Sequence, residues 1–96
     1  SAATQENAVA QNNLGVMYER GIEVKKDLTM ARSWYEKSAK NAYRFAQFNY
    51  ANLLFDGIGG EKNTQQAIMW YKKAAAQNVE QAIAKLASLN EEIKTK

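Results

Sequence analysis

Acid–base chemistry in this chain would fall to carboxylates and lysines, because its 96 residues include no histidine and no cysteine. That removes the commonest general base and the commonest metal ligand together, and with them any thiolate site or disulfide framework. The nearest acidic candidates, Glu19, Glu23, Asp56 and Glu61, lie close to two glycine-bearing stretches, with no nucleophile or metal-ligand spacing beside them. A reaction needs a base, an orienting partner and a place for the reacting atom together. The sequence offers no such set, so neither an enzyme, a bound metal nor a small-molecule cofactor is expected. What remains is recognition chemistry, carried by Phe48 and Phe55, the amides of Asn12, Asn13, Asn49 and Asn52, Val16, and the ammonium of Lys85.

These residues gain meaning from a repeat. Gly21, Asp27, Ala31, Trp34, Tyr35, Lys37 and Ala39 recur 36 residues later as Gly57, Asn63, Ala67, Trp70, Tyr71, Lys73 and Ala75. Upstream, Ala10, Gln11 and Asn13 recur as Ala46, Gln47 and Asn49, and Ala82 falls at the same spacing again. A fixed period of this length marks stacked supersecondary units. Proline is absent, and glycines at 21, 57, 59 and 60 punctuate the chain.

Between the glycines the apolar spacing follows a helical period. Ala10, Leu14, Met17, Tyr18 and Gly21 share one helix face, as do Leu28, Ala31, Trp34, Tyr35, Ser38 and Ala39. The pattern returns with Ala46, Tyr50, Leu53, Leu54 and Gly57, and with Ala67, Trp70, Tyr71, Ala74 and Ala75. A fifth segment carries Val79, Ala82, Ile83, Leu86, Leu89 and Ile93. Asp27 and Asn63 suit the start of the second and fourth helices, where a short side-chain oxygen accepts from free backbone amides. Asn41 and Asn78 suit their ends, since asparagine tolerates the left-handed conformation. Helices are thus expected over 5–19, 28–40, 43–56, 64–77 and 80–94.

Small residues at Gly15 and Ala51, and at Ala31 and Ala67, should let paired helices approach closely. The Trp34-Tyr35 and Trp70-Tyr71 pairs should fill the wedge between successive pairs, as core rather than ligand contacts. A mid-helix glycine costs about 0.5–1 kcal/mol against alanine, so Gly15 requires a packing reason.

The run from Ala10 through Asn13, Leu14, Gly15, Val16, Met17 and Tyr18, then Gly21, Val24, Asp27, Ala31, Trp34, Tyr35, Lys37 and Ala39, resembles a Sel-one-like repeat. That family is a subclass of the tetratricopeptide-like helical repeats. The second copy matches through Ala46, Gln47, Phe48, Asn49, Gly57, Ala67 and Trp70 to Ala75. The copies depart from the pattern in places: Tyr50-Ala51 stands for Leu-Gly, Glu23 for a loop glycine kept at Gly59, and Gly60 for a loop valine kept at Val24. The resemblance implies an all-α solenoid over 1–96. It comprises repeat one at about 5–41, repeat two at about 42–78 and a capping helix at about 79–96, in a right-handed superhelical stack. It also implies a non-catalytic adaptor, with an exported or periplasmic setting favoured over a cytoplasmic one, since bacterial members are often exported.

In such stacks the first helix of each pair lines the concave side, where partners sit. Taking Ala10, Leu14, Met17, Tyr18 and Gly21 as buried puts Asn12, Val16 and Glu19 opposite, and a further 36 residues on puts Phe48, Asn52 and Phe55 there. Asn13, Asn49 and Lys85 form a flanking row. The third helix is then apolar on both sides, with Phe45, Phe48 and Phe55 on the outer one. The expected function is a protein or peptide bound on this concave face by Asn12, Asn13, Val16, Phe48, Asn49, Asn52, Phe55 and Lys85. The alternative is an inhibitor or immunity-type protein that covers one partner enzyme. The formal charge of +3 divides as +2 (seven basic, five acidic) over 1–48 and +1 (six basic, five acidic) over 49–96. Interspersed charge of this kind disfavours nucleic acid, which wants a basic face. No apolar run approaches the roughly 18–20 residues of a membrane span.

Overall fold

The structure, a computed structural model, describes residues 2–95, with side chains over 5–92. Five helices follow one another: α1 (Ala2–Arg20), α2 (Leu28–Lys40), α3 (Arg44–Asp56), α4 (Thr64–Ala76) and α5 (Glu80–Thr95). Each packs on the next in sequence, α1 on α2 through to α4 on α5, and no strand occurs among the described residues. The result is an all-α stack of two hairpins and a fifth helix. It measures 44 × 30 × 17 Å, a slab about two helix layers thick.

The helix boundaries arise from named groups. Asp27 and Asn63 accept from the backbone amides of Met30 and Gln66, both at 3.0 Å, and so cap α2 and α4. Gly57 closes α3 at φ +66, and Gly21 takes φ +69 at the same place after α1. The end of α2 differs from expectation. Asn41 sits at φ −87, and the left-handed residue is the next one, Ala42 at φ +67. Asn78, one repeat later, does take φ +65. At Ala42 the turn is imposed by backbone bonds, Ala42 N to Ala39 O at 2.9 Å and Tyr43 N to Ser38 O at 3.2 Å. Asn41 instead spends its amide on Gln11 Oε1 of α1, at 2.9 Å.

The core runs along the stack. Ala31, Tyr35, Ala39, Ala46, Tyr50, Ala51, Leu53, Leu54, Ala67, Trp70, Tyr71, Ala74, Val79 and Ala82 form one buried cluster. Alanines at the helix crossings leave room for the tyrosine rings, and Tyr35 and Tyr71 are each only 1% exposed. Gly15 finds its packing reason here, since a Cβ on it would lie 2.6 Å from the Tyr35 ring.

The buried arc expected for α1 is shifted. Ala10 and Gly21 are exposed and Leu14, Met17 and Tyr18 only half-buried, while Ala8, Asn12 and Gly15 are buried. Their counterparts Ala46, Tyr50 and Leu53 are buried because α3 lies between α2 and α4. Helix α1 packs chiefly on α2 and touches α3 through Asn12, so more of its surface faces outward than that of α3. The same difference appears at α5, where Ala82, and Val79 just before the helix, are buried but Ile83 is 47% exposed.

Candidate functional site

The odd-numbered helices lie side by side, tied by side chains from the expected recognition set. Asn49 on α3 donates its Nδ2 to Asn12 Oδ1 on α1 at 3.1 Å, and Asn12 is buried as a result. Lys85 on α5 holds its Nζ 4.2 Å from the centroid of the Phe55 ring on α3. A cation over an aromatic face at this distance is attracted by the ring quadrupole. One surface therefore runs from α1 across α3 to α5.

Phe48 and Phe55 are half-buried and work in two directions. Their centroids lie 5.9 and 6.2 Å from that of Tyr71. Asn52, between them on the same helix, accepts the Tyr71 hydroxyl. The two phenylalanines thus rest on the core while keeping part of each ring at the surface. Val16 packs partly on the same core, and Asn13 is exposed.

The phenols are tuned by burial. Desolvation, with the nearby charge of Glu36, pushes Tyr50 up to about 12. Desolvation, with the charge of Asp56, does the same for Tyr71. Tyr35 is pushed up as well, by burial first and then by its hydrogen bond to Glu19 at 2.6 Å. These shifts favour the neutral hydroxyl as a donor, so the three tyrosines act as fixed cross-links between helices.

Two further exposed apolar residues on α1 and α3 were absent from the expected set. Val9 on α1 and Phe45 on α3 stand 36 residues apart, and are 39% and 41% exposed. With Tyr43 and Arg44, and with Asn41, Ala42 and Gln77 at the ends of α2 and α4, they line a cleft of about 330 Å³. The Tyr43 ring meets Phe45 edge-on at 5.6 Å, and the Arg44 guanidinium lies 4.9 Å from the Phe45 centroid. The repeat register carried the signal: Phe45 stands on the outer side of α3, and Val9 is its counterpart one period earlier.

The lysines of the even-numbered helices occupy other positions. Lys37 and Lys73 lie over the rings of Trp34 and Trp70 at 4.5 and 5.7 Å, and Lys40 pairs with Glu36 at 3.2 Å. Among the described residues no group of three acidic, histidine or cysteine side chains gathers to hold a metal, and no helix is long and apolar enough to cross a membrane.

Comparison with known proteins agrees with this architecture. The family model described as Sel1 repeat matches twice, at residues 8–43 and 44–79. The Sel1 repeat protein of Oxalobacter formigenes superposes with a TM-score of 0.87 at 40% identity, covering 92% of this chain and 36% of that one. The cysteine-rich protein B of Helicobacter pylori superposes at 0.77 with 30% identity, covering 80% and 58%. A sel1-like repeat-containing protein of Acanthamoeba polyphaga mimivirus is 35% identical over 69 residues, 72% of this chain and 12% of that protein. A chitin synthase regulator of Saccharomyces cerevisiae is 34% identical over 89 residues, 91% of this chain and 13% of that protein. The chain thus spans about an eighth of the length of these two curated relatives. With two matched units, the paired helices they predict and neighbours of the same build, this chain belongs to the Sel1 repeat family, whose members are generally protein-interaction and regulatory modules.

Proposed function

We propose that this chain is a non-catalytic recognition module that grips a protein or peptide on the face shared by α1, α3 and α5, the side expected to be concave. The observation that carries the reading is the cleft at Val9 and Phe45. It places two exposed apolar side chains, one aromatic, beside the Arg44 guanidinium, with Phe45 on the helix that also carries Phe48 and Phe55. Aromatic and arginine side chains ringed by polar groups are the usual energetic anchors of an interface. An extended segment crossing the three helices would set an apolar side chain into the cleft. The amides of Asn13 and Asn49 would then meet its backbone, and Lys85 a carboxylate.

Affinity capture from the native source, quantified by mass spectrometry, tests the reading with three variants. Phe45→Ala should weaken capture of a specific partner by roughly thirtyfold, the loss of one interface anchor, with little change in thermal stability. Phe55→Ala should weaken capture and also lower stability, because its ring rests on Tyr71. Lys72→Ala, on an even helix, should change neither. Capture that survives both phenylalanine substitutions would refute the site. A single stoichiometric enzyme among the captured proteins would favour the inhibitor alternative over an adaptor.

A further inference from the structure

The repeat register separates what the scaffold requires from what it does not. Packing residues stand in both units, Ala31 with Ala67 and Tyr35 with Tyr71. Two cation–ring pairs on α3 stand once. The Arg44 guanidinium lies 4.9 Å from the Phe45 ring, yet one period later those positions hold Glu80 and Gln81. The Lys85 ammonium lies 4.2 Å from the Phe55 ring, yet one period earlier those positions hold Asn49 and Glu19. Stacking of the helices therefore requires neither cation. Neither stands in an ion pair with a carboxylate among the described residues, where Lys40 pairs with Glu36. Arg44 reaches the Gln77 carbonyl, a neutral acceptor, at 3.4 Å, and Lys85 is half-buried. A ring stabilises a cation without neutralising it, so both keep their attraction for an anion.

The two pairs share one side of α3. At 3.6 residues per turn, Phe45, Phe48 and Phe55 fall within an arc of about 80°. Phe45 and Phe55 are ten residues apart, about 15 Å along the axis. An extended segment covers that distance in about four to five residues, and its side chains return to one face at every second residue. Residues four apart then meet the two cations. Both pairs also sit between consecutive odd helices: the cleft at Phe45 joins α1 to α3, and Lys85 over Phe55 joins α5 to α3. A further repeat stacked before α1 or after α5 would meet the outer sides of those helices and leave both pairs open. The net charge of +3 opposes a second copy of the chain and favours an anionic occupant.

We propose that the occupant is an extended, acidic segment of another protein whose carboxylates stand four residues apart, a proposal that rests on the recognition face of α1, α3 and α5. One carboxylate lies on Arg44, close to the apolar side chain seated between Val9 and Phe45, and the other lies on Lys85. The residues between them cross Phe48. The apolar cleft sets where the segment is anchored, and the two cations set which sequence it accepts.

The test sorts a phage library of random peptides against the whole chain. Enriched peptides should share two acidic residues four apart, with a bulky apolar residue within two positions of one of them. A synthetic peptide of the enriched sequence is then titrated by fluorescence anisotropy at low salt. Arg44→Gln and Lys85→Gln should each weaken it roughly tenfold, the loss of a hydrogen bond between charged groups, while Arg44→Lys keeps most of the affinity. A peptide with one acid changed to its amide should become indifferent to one of the two glutamine substitutions and keep its response to the other, a pairing that a merely structural role would not produce. Enriched peptides that lose binding to Phe45→Ala but share no acidic pair would overturn the acidic segment and leave the recognition face standing. A dimer in sedimentation that Arg44→Gln dissolves would do the same, with a second copy as the occupant. No enrichment, or binding indifferent to Phe45→Ala, would overturn both.

Discussion

Gly15→Ala should destabilise the fold although it improves helix propensity. The new Cβ would sit 2.6 Å from Cδ1 and Cε1 of Tyr35 and 3.1 Å from Cγ. Comfortable carbon contacts lie near 3.5–4.0 Å, so the overlap is about 1 Å against a ring that is itself buried. The ring cannot slide freely, since its hydroxyl is held by Glu19 at 2.6 Å. Overpacking of this kind costs about 1–3 kcal/mol, while glycine to alanine returns about 1 kcal/mol of propensity. The net loss is up to about 2 kcal/mol, or a fall in Tm of up to about 15 °C for a domain of this size. Urea unfolding followed by circular dichroism should show a lower midpoint with an unchanged slope. In a Tyr35→Phe background the tether is gone, the ring can shift, and the cost of the alanine should shrink. Stabilisation by about 1 kcal/mol in the parent chain would mean that propensity alone acts, and that Tyr35 is not why a glycine stands there.

Glu23 sits at φ +63, the register where Gly59 sits at φ +73. Left-handed backbone costs a residue with a Cβ about 1–2 kcal/mol, and glycine loses about 0.5–1 kcal/mol of that in chain entropy. Thermal melts should therefore show Glu23→Gly more stable by about 0.5–1 kcal/mol, with Glu23→Ala giving no gain. The tyrosines set an alkaline limit. Unfolded tyrosine ionises near 10, whereas Tyr50 and Tyr71 are held up to about 12 in the fold. The unfolded chain therefore loses protons first, so stability should be flat below pH 10 and fall as pH rises through 12, where the contributions of Tyr50 and Tyr71 are lost. Urea midpoints measured from pH 8 to 12 check this; a flat profile, or one unchanged by Tyr50→Phe with Tyr71→Phe, would contradict the buried-phenol reading.

What could be read from the chain was what the repeat states twice. Asp27 and Asn63 cap as expected because a cap is a local event, settled by one side chain and the amides next to it. The seats of Tyr35 and Tyr71 were legible because size must alternate across a helix crossing, and small residues appear opposite large ones. The shifted arc of α1 was not legible, because burial depends on how many neighbours a helix has and a repeat pattern carries no information about its own ends. Ala42 was missed because Asn41 looked like the better left-handed residue. Its amide is needed across the interface by Gln11, and the backbone turn falls one place later. Asn12 looked like a surface amide and proved to be a buried link, since the register says which way a side chain points but not that Asn49 will reach it.

The differences between the two units bear most directly on function. In the first, Val16 and Glu19 occupy positions that Asn52 and Phe55 occupy in the second. The phenol that Glu19 satisfies in unit one is satisfied in unit two by Asn52, nearly one turn earlier on the helix. A buried hydroxyl left unpaired would cost about 1–3 kcal/mol, so a carboxylate could leave the position of Phe55 only with another acceptor in place. With Asn52 serving Tyr71, the vacated position carries an aromatic ring that packs on that same tyrosine and meets Lys85 on α5. The surface aromatic and the amide beside it are thus one coupled change. The scaffold fixes where a tyrosine must be satisfied, and the choice of acceptor determines which chemistry remains for the face shared by α1, α3 and α5.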